Sequence, residues 1–189
     1  DLDQAGINHE LFSLVEFGPG EGTLSRDLID AIYEISPNLI SKIELVLVEI
    51  NLGMRERQEK VVNNLEGINY RWSSMDDLIS SPVTGVVIAN EVLDAFPVER
   101  LVFSNNNVFR QGVSLKKIND EYFLEFIDLN PSSEIINFLK ESNSLLKIEF
   151  PPKGICNRWV TEWHCDVPIW FGKLSKILIN GSLLIVDYA

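Results

Sequence analysis

Along the first half of the chain, continuous apolar runs alternate with apolar residues at helical spacing. Leu11–Phe17 (LFSLVEF) is apolar enough for a buried strand. From Thr23 to Ile35 the apolar positions Leu24, Leu28, Ile32 and Ile35 recur every three or four residues, which marks one helix face, and Pro37 ends it. Ile43–Ile50 (IELVLVEI) reads as a second strand. Asn51 caps a helix running to about Leu65, with Arg55, Arg57, Glu59 and Lys60 on its outer face. Asn69–Trp72 reads as a short strand, Met75–Ile79 as one helical turn, and Val83–Ala89 as a β-branched strand. Strands alternating with helices predict parallel β-α units, hence an α/β fold.

The rhythm then changes. Val98–Phe103, Val108–Leu115 and Tyr122–Asp128 are strand-like, parted by polar turns at Ser104–Asn107 and Lys116–Asp120. They predict an antiparallel meander inserted in the α/β frame, so the chain reads as one domain over 1–189 with an insertion at 98–150. Ser132–Glu141 reads as a helix, and Ile148–Gly154 as extended and proline-containing. Pro168–Leu178 is a second amphipathic helix with Pro at its start. Asn180-Gly181 turns the chain into a fifth buried strand, Ser182–Tyr188. In open α/β sheets, ligands bind beyond the carboxyl ends of the strands. A chain that stops on such a strand, and that lacks an initiator Met, is expected to be flanked by further sequence at both ends.

Composition narrows the function. The 189 residues are 46% hydrophobic, so the chain is globular, and at this length it buries about 70% of its unfolded surface. Sixteen basic against 28 acidic side chains leave a net charge of -12. Such a chain repels nucleic-acid phosphates and anionic membranes and suits cationic partners. Two cysteines, Cys156 and Cys165, make no disulfide framework, and reduced thiols in a cytosol-like compartment are the simpler reading. No apolar run reaches the ~18 residues of a membrane span, and acidic, polar Asp1–Glu10 is no signal or transit peptide. Cys156, His164 and Cys165 lack the CxxC pair or second His that would complete a metal set, so no metal is expected. Trp159, Trp163 and Trp170 read as core or partner-docking aromatics. Asn180-Gly181-Ser182 matches a glycosylation sequon, but an Asn-Gly turn explains it better.

The chemistry concentrates in Glu16-Phe17-Gly18-Pro19-Gly20-Glu21-Gly22-Thr23, between a strand and a helix. Gly18, Gly20 and Gly22 let the backbone turn tightly and approach a ligand closely. No Lys follows Gly22, which excludes a Walker loop, and the spacing is G-x-G-x-G rather than the dinucleotide G-x-G-x-x-G. Glu16 and Glu21 would repel a pyrophosphate but are compatible with an ammonium and a sulfonium. That description fits S-adenosylmethionine.

Glu49, at the end of the second strand, is placed to accept hydrogen bonds from a ribose diol. It supports an adenosine cofactor without separating S-adenosylmethionine from NAD. After the third strand, Asp76 or Asp77 either meets an adenine amino group or favours the start of a short helix through its dipole. Asn90 and Glu91 end the fourth strand on the same rim as Gly18 and Glu49, with Asn90 also a possible helix N-cap. Asp94 lies three residues beyond Glu91, so on a helical turn the two carboxylates would share a face.

EFGPGEGTLSRDL, LVEIN and IANEVLDAFPVER together resemble the MidA-type class I methyltransferases, the family of the mitochondrial complex I assembly methyltransferase and its bacterial relatives. Their signature is close to E-x-G-P-G-x-G-x-L followed by A-N-E-x-x-D-A-x-P-V. The stretch from Thr161-Glu162-Trp163 to LLIVDYA is similar to the family's D-Y-G ending, with Ala189 in place of Gly. The resemblance implies a Rossmann-like sheet with strands 3-2-1-4-5, S-adenosyl-L-methionine as cofactor, and a protein arginine as substrate. It also implies longer relatives, with a helical segment before the glycine strand and a substrate-side region after the D-Y-G segment. Location would be cytoplasmic in a bacterium and the mitochondrial matrix in a eukaryote.

On this reading Glu16, Gly18, Gly20, Gly22, Glu49, Asp76 and Asn90 bind the cofactor. Glu91 and Asp94 orient the guanidinium and take its proton. Two alternatives are a methyltransferase-like assembly module without catalysis and an NAD-dependent oxidoreductase.

Overall fold

A computed structural model describes residues 11–155 and 157–188. Asp1–Glu10, Cys156 and Ala189, and the expectations attached to them, lie outside the described residues. The chain divides into two compact units: the residues up to Phe96 together with those from Val167 onward, and Pro97–Asp166.

The first unit holds strands β1 (Phe12–Phe17), β2 (Ile43–Val48), β3 (Asn69–Ser73), β4 (Val83–Asn90) and β9 (Leu178–Val186). Its helices are α1 (Thr23–Ile35), α2 (Leu52–Val62), α3 (Met75–Ser80) and α5 (Val167–Leu174). The five strands are all parallel in the order β3-β2-β1-β4-β9, the 3-2-1-4-5 sheet expected, with β9 as its fifth strand. Side chains alternate between the two faces, and both faces are covered, so the central strands are mostly apolar on both, with Ser13 and Glu16 of β1 buried among them. Val15, Phe17, Val46, Val48 and Val87 pack with Leu78 of α3 and with Trp170 and Leu174 of α5. Leu14, Leu45, Leu47 and Ile88 pack with Ile29 of α1 and Val62 of α2.

Several boundaries differ from the sequence pattern. Ile35 is 83% exposed in the last turn of α1, whereas Ile29 is buried there. β2 ends at Val48, so Glu49 and Ile50 leave the sheet, and α2 ends at Val62 rather than near Leu65. α5 stops at Leu174 rather than Leu178, because β9 already begins there. Asn180-Gly181 is no turn but lies inside β9, after a register irregularity that leaves Ile179 without a partner on β4. The reason is close approach. Ser13, Gly85 and Gly181 form one row across β1, β4 and β9. A Cβ on Gly181 would lie 1.8 Å from the Gly85 carbonyl oxygen, and one on Gly85 1.9 Å from that of Ser13. Glycine therefore serves the sheet at a point where the Asn-Gly pair imitates a turn signal.

The second unit holds β5 (Glu99–Ser104), β6 (Asn107–Ile118), β7 (Glu121–Leu129), α4 (Ser133–Glu141) and β8 (Trp159–Trp163), with antiparallel sheet order β7-β6-β5-β8. Its hairpins turn on Asn105-Asn106 and Asn119-Asp120, all four with positive φ as primed two-residue turns require. The second turn is tighter than Lys116–Asp120, because Lys116 and Lys117 stay paired in β6. β8 was not legible as a strand. Its pairing with β5 carries the unit to Asp166, beyond the insertion read over 98–150. Leu101, Phe103 and Ile135 form the core with Phe150, Trp159 and Trp163 packed against it.

Candidate functional site

Parallel strands put their carboxyl ends on one rim of the first unit. Gly18 and Gly20 follow β1, Glu49 follows β2, Asp76 follows β3, and Glu91 follows Asn90 at the end of β4.

The glycine loop is a backbone cradle. The Gly18 N–H donates to the Val48 carbonyl at 3.1 Å, and the Gly22 N–H to that of Pro19 at 2.7 Å. Gly18 has φ +59°, and a Cβ there would lie 3.3 Å from Val92 Cγ2. The loop thus packs directly against the segment after β4. Gly22 is the N-cap of α1, which has no side-chain cap.

Glu16 lies beneath this loop on β1, 3% exposed, and its Oε2 accepts a short hydrogen bond from the Ser25 hydroxyl of α1. Burial pushes its carboxyl above the ordinary range, against the hydrogen bonds from the Ser25 hydroxyl and N–H. The side chain ties strand to helix. Glu21 is exposed and paired with Arg57 at 2.9 Å.

Glu49 is half-buried and held from two sides. Its Oε1 accepts from the Asn51 N–H at 2.8 Å, and its Oε2 from Gln58 Nε2 at 3.1 Å. Arg55 of α2 donates through Nε to the Glu49 carbonyl at 2.8 Å. Asn51 caps α2, as expected, accepting from the N–H groups of Gly53 and Met54. Gln58 is fully buried and also donates to the Gly20 carbonyl at 2.8 Å, while its Oε1 accepts from the Trp72 indole at 2.8 Å.

Asp76 is exposed and lies 3.6 Å from Lys173 of α5. Its neighbour Asp77 forms a capping box with Ser74, whose hydroxyl and N–H hold the carboxyl below its ordinary range. The helix-start role therefore belongs to Asp77.

Asn90 closes β4 opposite Val186 and caps no helix. Glu91 adopts a left-handed conformation with φ +53°, its N–H bonded to the Val186 carbonyl at 2.8 Å. Only Leu93–Ala95 form a short 3-10 turn. The single helical turn that would align Glu91 with Asp94 is absent, because the left-handed residue interrupts it. The two acids are gathered instead by the end of β9. Tyr188 donates its hydroxyl proton to Asp94 Oδ2 at 2.9 Å, and Asp187 Oδ2 accepts from the Leu93 N–H at 2.8 Å. The Asp94 hydrogen bond and charge, then slight desolvation and the charges of Glu91 and Asp187, raise the Tyr188 phenol above its ordinary value.

Gln58 lies outside the motifs, and Asp187 and Tyr188, though inside the matched D-Y-G segment, received no role from it. Gln58 had a signal: it lies four residues before the buried Val62 and four after the half-buried Met54. No group of His, Cys, Asp and Glu able to hold a metal occurs among the described residues. No helix among them is long and apolar enough to cross a membrane.

Residues 2–189 match the family described as "Putative S-adenosyl-L-methionine-dependent methyltransferase". A Burkholderia thailandensis protein crystallised with S-adenosyl-homocysteine is similar over the whole chain and 43% of its own, with 27% identity and a TM-score of 0.71. A native crystal structure from the same organism and superfamily is similar at 25% identity and TM-score 0.71, over 100% of this chain and 45% of its own. Among curated proteins, the "Protein arginine methyltransferase NDUFAF7 homolog, mitochondrial" of Caenorhabditis elegans is 26% identical over 162 residues, covering 76% of this chain. The chain spans 37% of that relative's length. The family's cofactor is S-adenosyl-L-methionine, so the NAD alternative falls away.

The rim suits such a cofactor. A carboxylate offers about four lone-pair directions, and Glu49 has one on each oxygen engaged by the Asn51 N–H and the Gln58 amide. The remaining directions are open to further donors. Glu21, in the glycine loop, is already paired with Arg57 and exposed.

Proposed function

This chain belongs to the S-adenosyl-L-methionine-dependent methyltransferase family, and we propose that it transfers a methyl group to an arginine side chain of a protein. The observation that carries the cofactor part of this reading is the Glu49 carboxylate, held just after β2 beside the glycine loop. Glu49 binds the ribose hydroxyls. Gly18, Gly20 and Gly22 present backbone to the methionine portion, with Glu16 bracing the loop from below through Ser25. Asp76 takes the adenine side and Asn90 the end of β4.

The sulfonium of the bound cofactor supplies an electrophilic methyl group. The protein must orient the acceptor and expose a nitrogen lone pair, because a guanidinium stays protonated in water. Glu91 and Asp94 fit this need, since a carboxylate binds the planar guanidinium through parallel hydrogen bonds and can accept the proton it loses. The net charge of -12 favours a cationic protein segment as substrate. The arginine specificity is drawn from the C. elegans relative's name, and a mitochondrial site of action would follow for a eukaryotic member.

Incubation with methyl-labelled cofactor and a protein extract, followed by acid hydrolysis, tests this reading. Label in methylarginine is the expected result, lost in Glu91→Gln and Asp94→Asn. Label in another amino acid would move the substrate class. Cofactor binding with no transfer to protein would favour an assembly module built on the same fold.

A further inference from the structure

We propose that Gln58 is a positioning residue for the cofactor site, setting Glu49 and the glycine loop in one geometry before the ligand arrives. The inference deepens the cofactor reading above and rests on it. Gln58 is fully buried on α2 and spends its whole side chain on three separate parts of the rim. Its amide nitrogen donates to the Gly20 carbonyl at 2.8 Å and to Glu49 Oε2 at 3.1 Å. Its oxygen accepts from Trp72 Nε1, on β3, at 2.8 Å.

The orientation is forced. A flipped amide would set its oxygen against a carbonyl and a carboxylate, and its NH2 against an indole N–H. Both amide protons are committed, so neither is left for a ligand. Gln58 therefore acts through Glu49 and Gly20. One side chain links the ribose acid just after β2, the loop beside the methionine portion and the strand on the adenine side. A site whose parts are already held loses less entropy when the ligand binds. An amide suits this task better than a charged group, because it gives two donors and one acceptor in a dry position without burying charge.

Titration calorimetry of S-adenosyl-homocysteine into the full chain tests the proposal, with circular dichroism confirming that each variant is folded. The proteins are wild type, Gln58→Met, Gln58→Glu, Glu49→Ala and the double variant Gln58→Met/Glu49→Ala. Gln58→Glu keeps the length and the acceptor for Trp72 but replaces the donors with an acid that repels Glu49, and it is read if Gln58→Met does not fold. Gln58→Met is expected to bind about tenfold more weakly, the cost of hydrogen bonds to a charged group and a carbonyl, and Gln58→Glu more weakly still through repulsion of Glu49. If Gln58 acts through Glu49, the double variant loses clearly less than the product of the two single losses. Gln58 variants that bind like wild type, or losses that multiply in full, overturn the positioning role alone. A folded wild type that does not bind overturns the cofactor reading as well.

Discussion

The Tyr188 hydroxyl donates to Asp94 across 94 residues of sequence, at 2.9 Å. This bond joins the end of β9 to the segment after β4, and it fixes one of the two carboxylates assigned to the guanidinium. Asp94 in turn holds the Tyr188 phenol above its ordinary 10. Alkaline absorbance titration is expected to show one tyrosine ionising late in wild type. Asp94→Asn should return that tyrosine toward the ordinary range, and Tyr188→Phe should remove it. Tyr188→Phe should also lower kcat for methyl transfer more than it raises the cofactor's KM.

Gly18 is strained for any other residue. Gly18→Ala must hold a left-handed backbone, costing about 1–2 kcal/mol, and places its Cβ against Val92. Thermal unfolding should show that loss, and Gly18→Ala/Val92→Ala should fall short of the sum of the two single losses. Gly20→Ala, whose added Cβ meets nothing within 4 Å, should show only the backbone cost.

Glu16 and Ser25 set a pH dependence. Burial raises the Glu16 carboxyl above its ordinary 4.5. A group raised in the folded state adds stability that is complete below the unfolded value and is lost as pH rises through the folded one. Its contribution therefore declines from about pH 4.5 upward. Glu16→Gln keeps an acceptor for Ser25 and removes the charge, so urea unfolding should favour this variant increasingly as pH rises toward 7. Ser25→Ala should instead destabilise by about 1–3 kcal/mol at neutral pH, through loss of a buried partner.

The second unit should show the opposite sign. Arg158 grips Asp128 with two bonds of 2.6 Å, and the first of the effects lowering the Asp128 carboxyl is that hydrogen bonding. The stability from this pair is present above the ordinary 3.8 and is lost as pH falls through the lowered value. Asp128→Asn should therefore unfold at a higher pH on acid titration, and the difference from wild type should shrink in high salt.

The sheet was legible because its signals are local. Leu24, Leu28 and Ile32 announce α1 within three turns, and β1, β2 and β4 are predominantly apolar stretches bounded by loops. The failures were non-local. Trp159–Trp163 is a strand only because β5 pairs with it, and Gly181 is needed only because Gly85 lies beside it. In the site, the glycine loop and Glu49 were legible as a motif and a strand end. Gln58 was hidden among the charged residues of α2, since its role depends on Gly20, Glu49 and Trp72 converging in space. Tyr188 stood in a matched motif, but its link to Asp94 depends on β9 lying next to β4.

The central claim is that the rim around Glu49 binds an S-adenosyl cofactor. The most direct test is calorimetric titration of S-adenosyl-homocysteine into wild type and Glu49→Ala, with NADH as a control. The account predicts saturable binding by wild type, at least about tenfold weaker binding by Glu49→Ala, and none of NADH. A folded wild type that does not bind S-adenosyl-homocysteine, or a Glu49→Ala variant that binds it equally well, would contradict it.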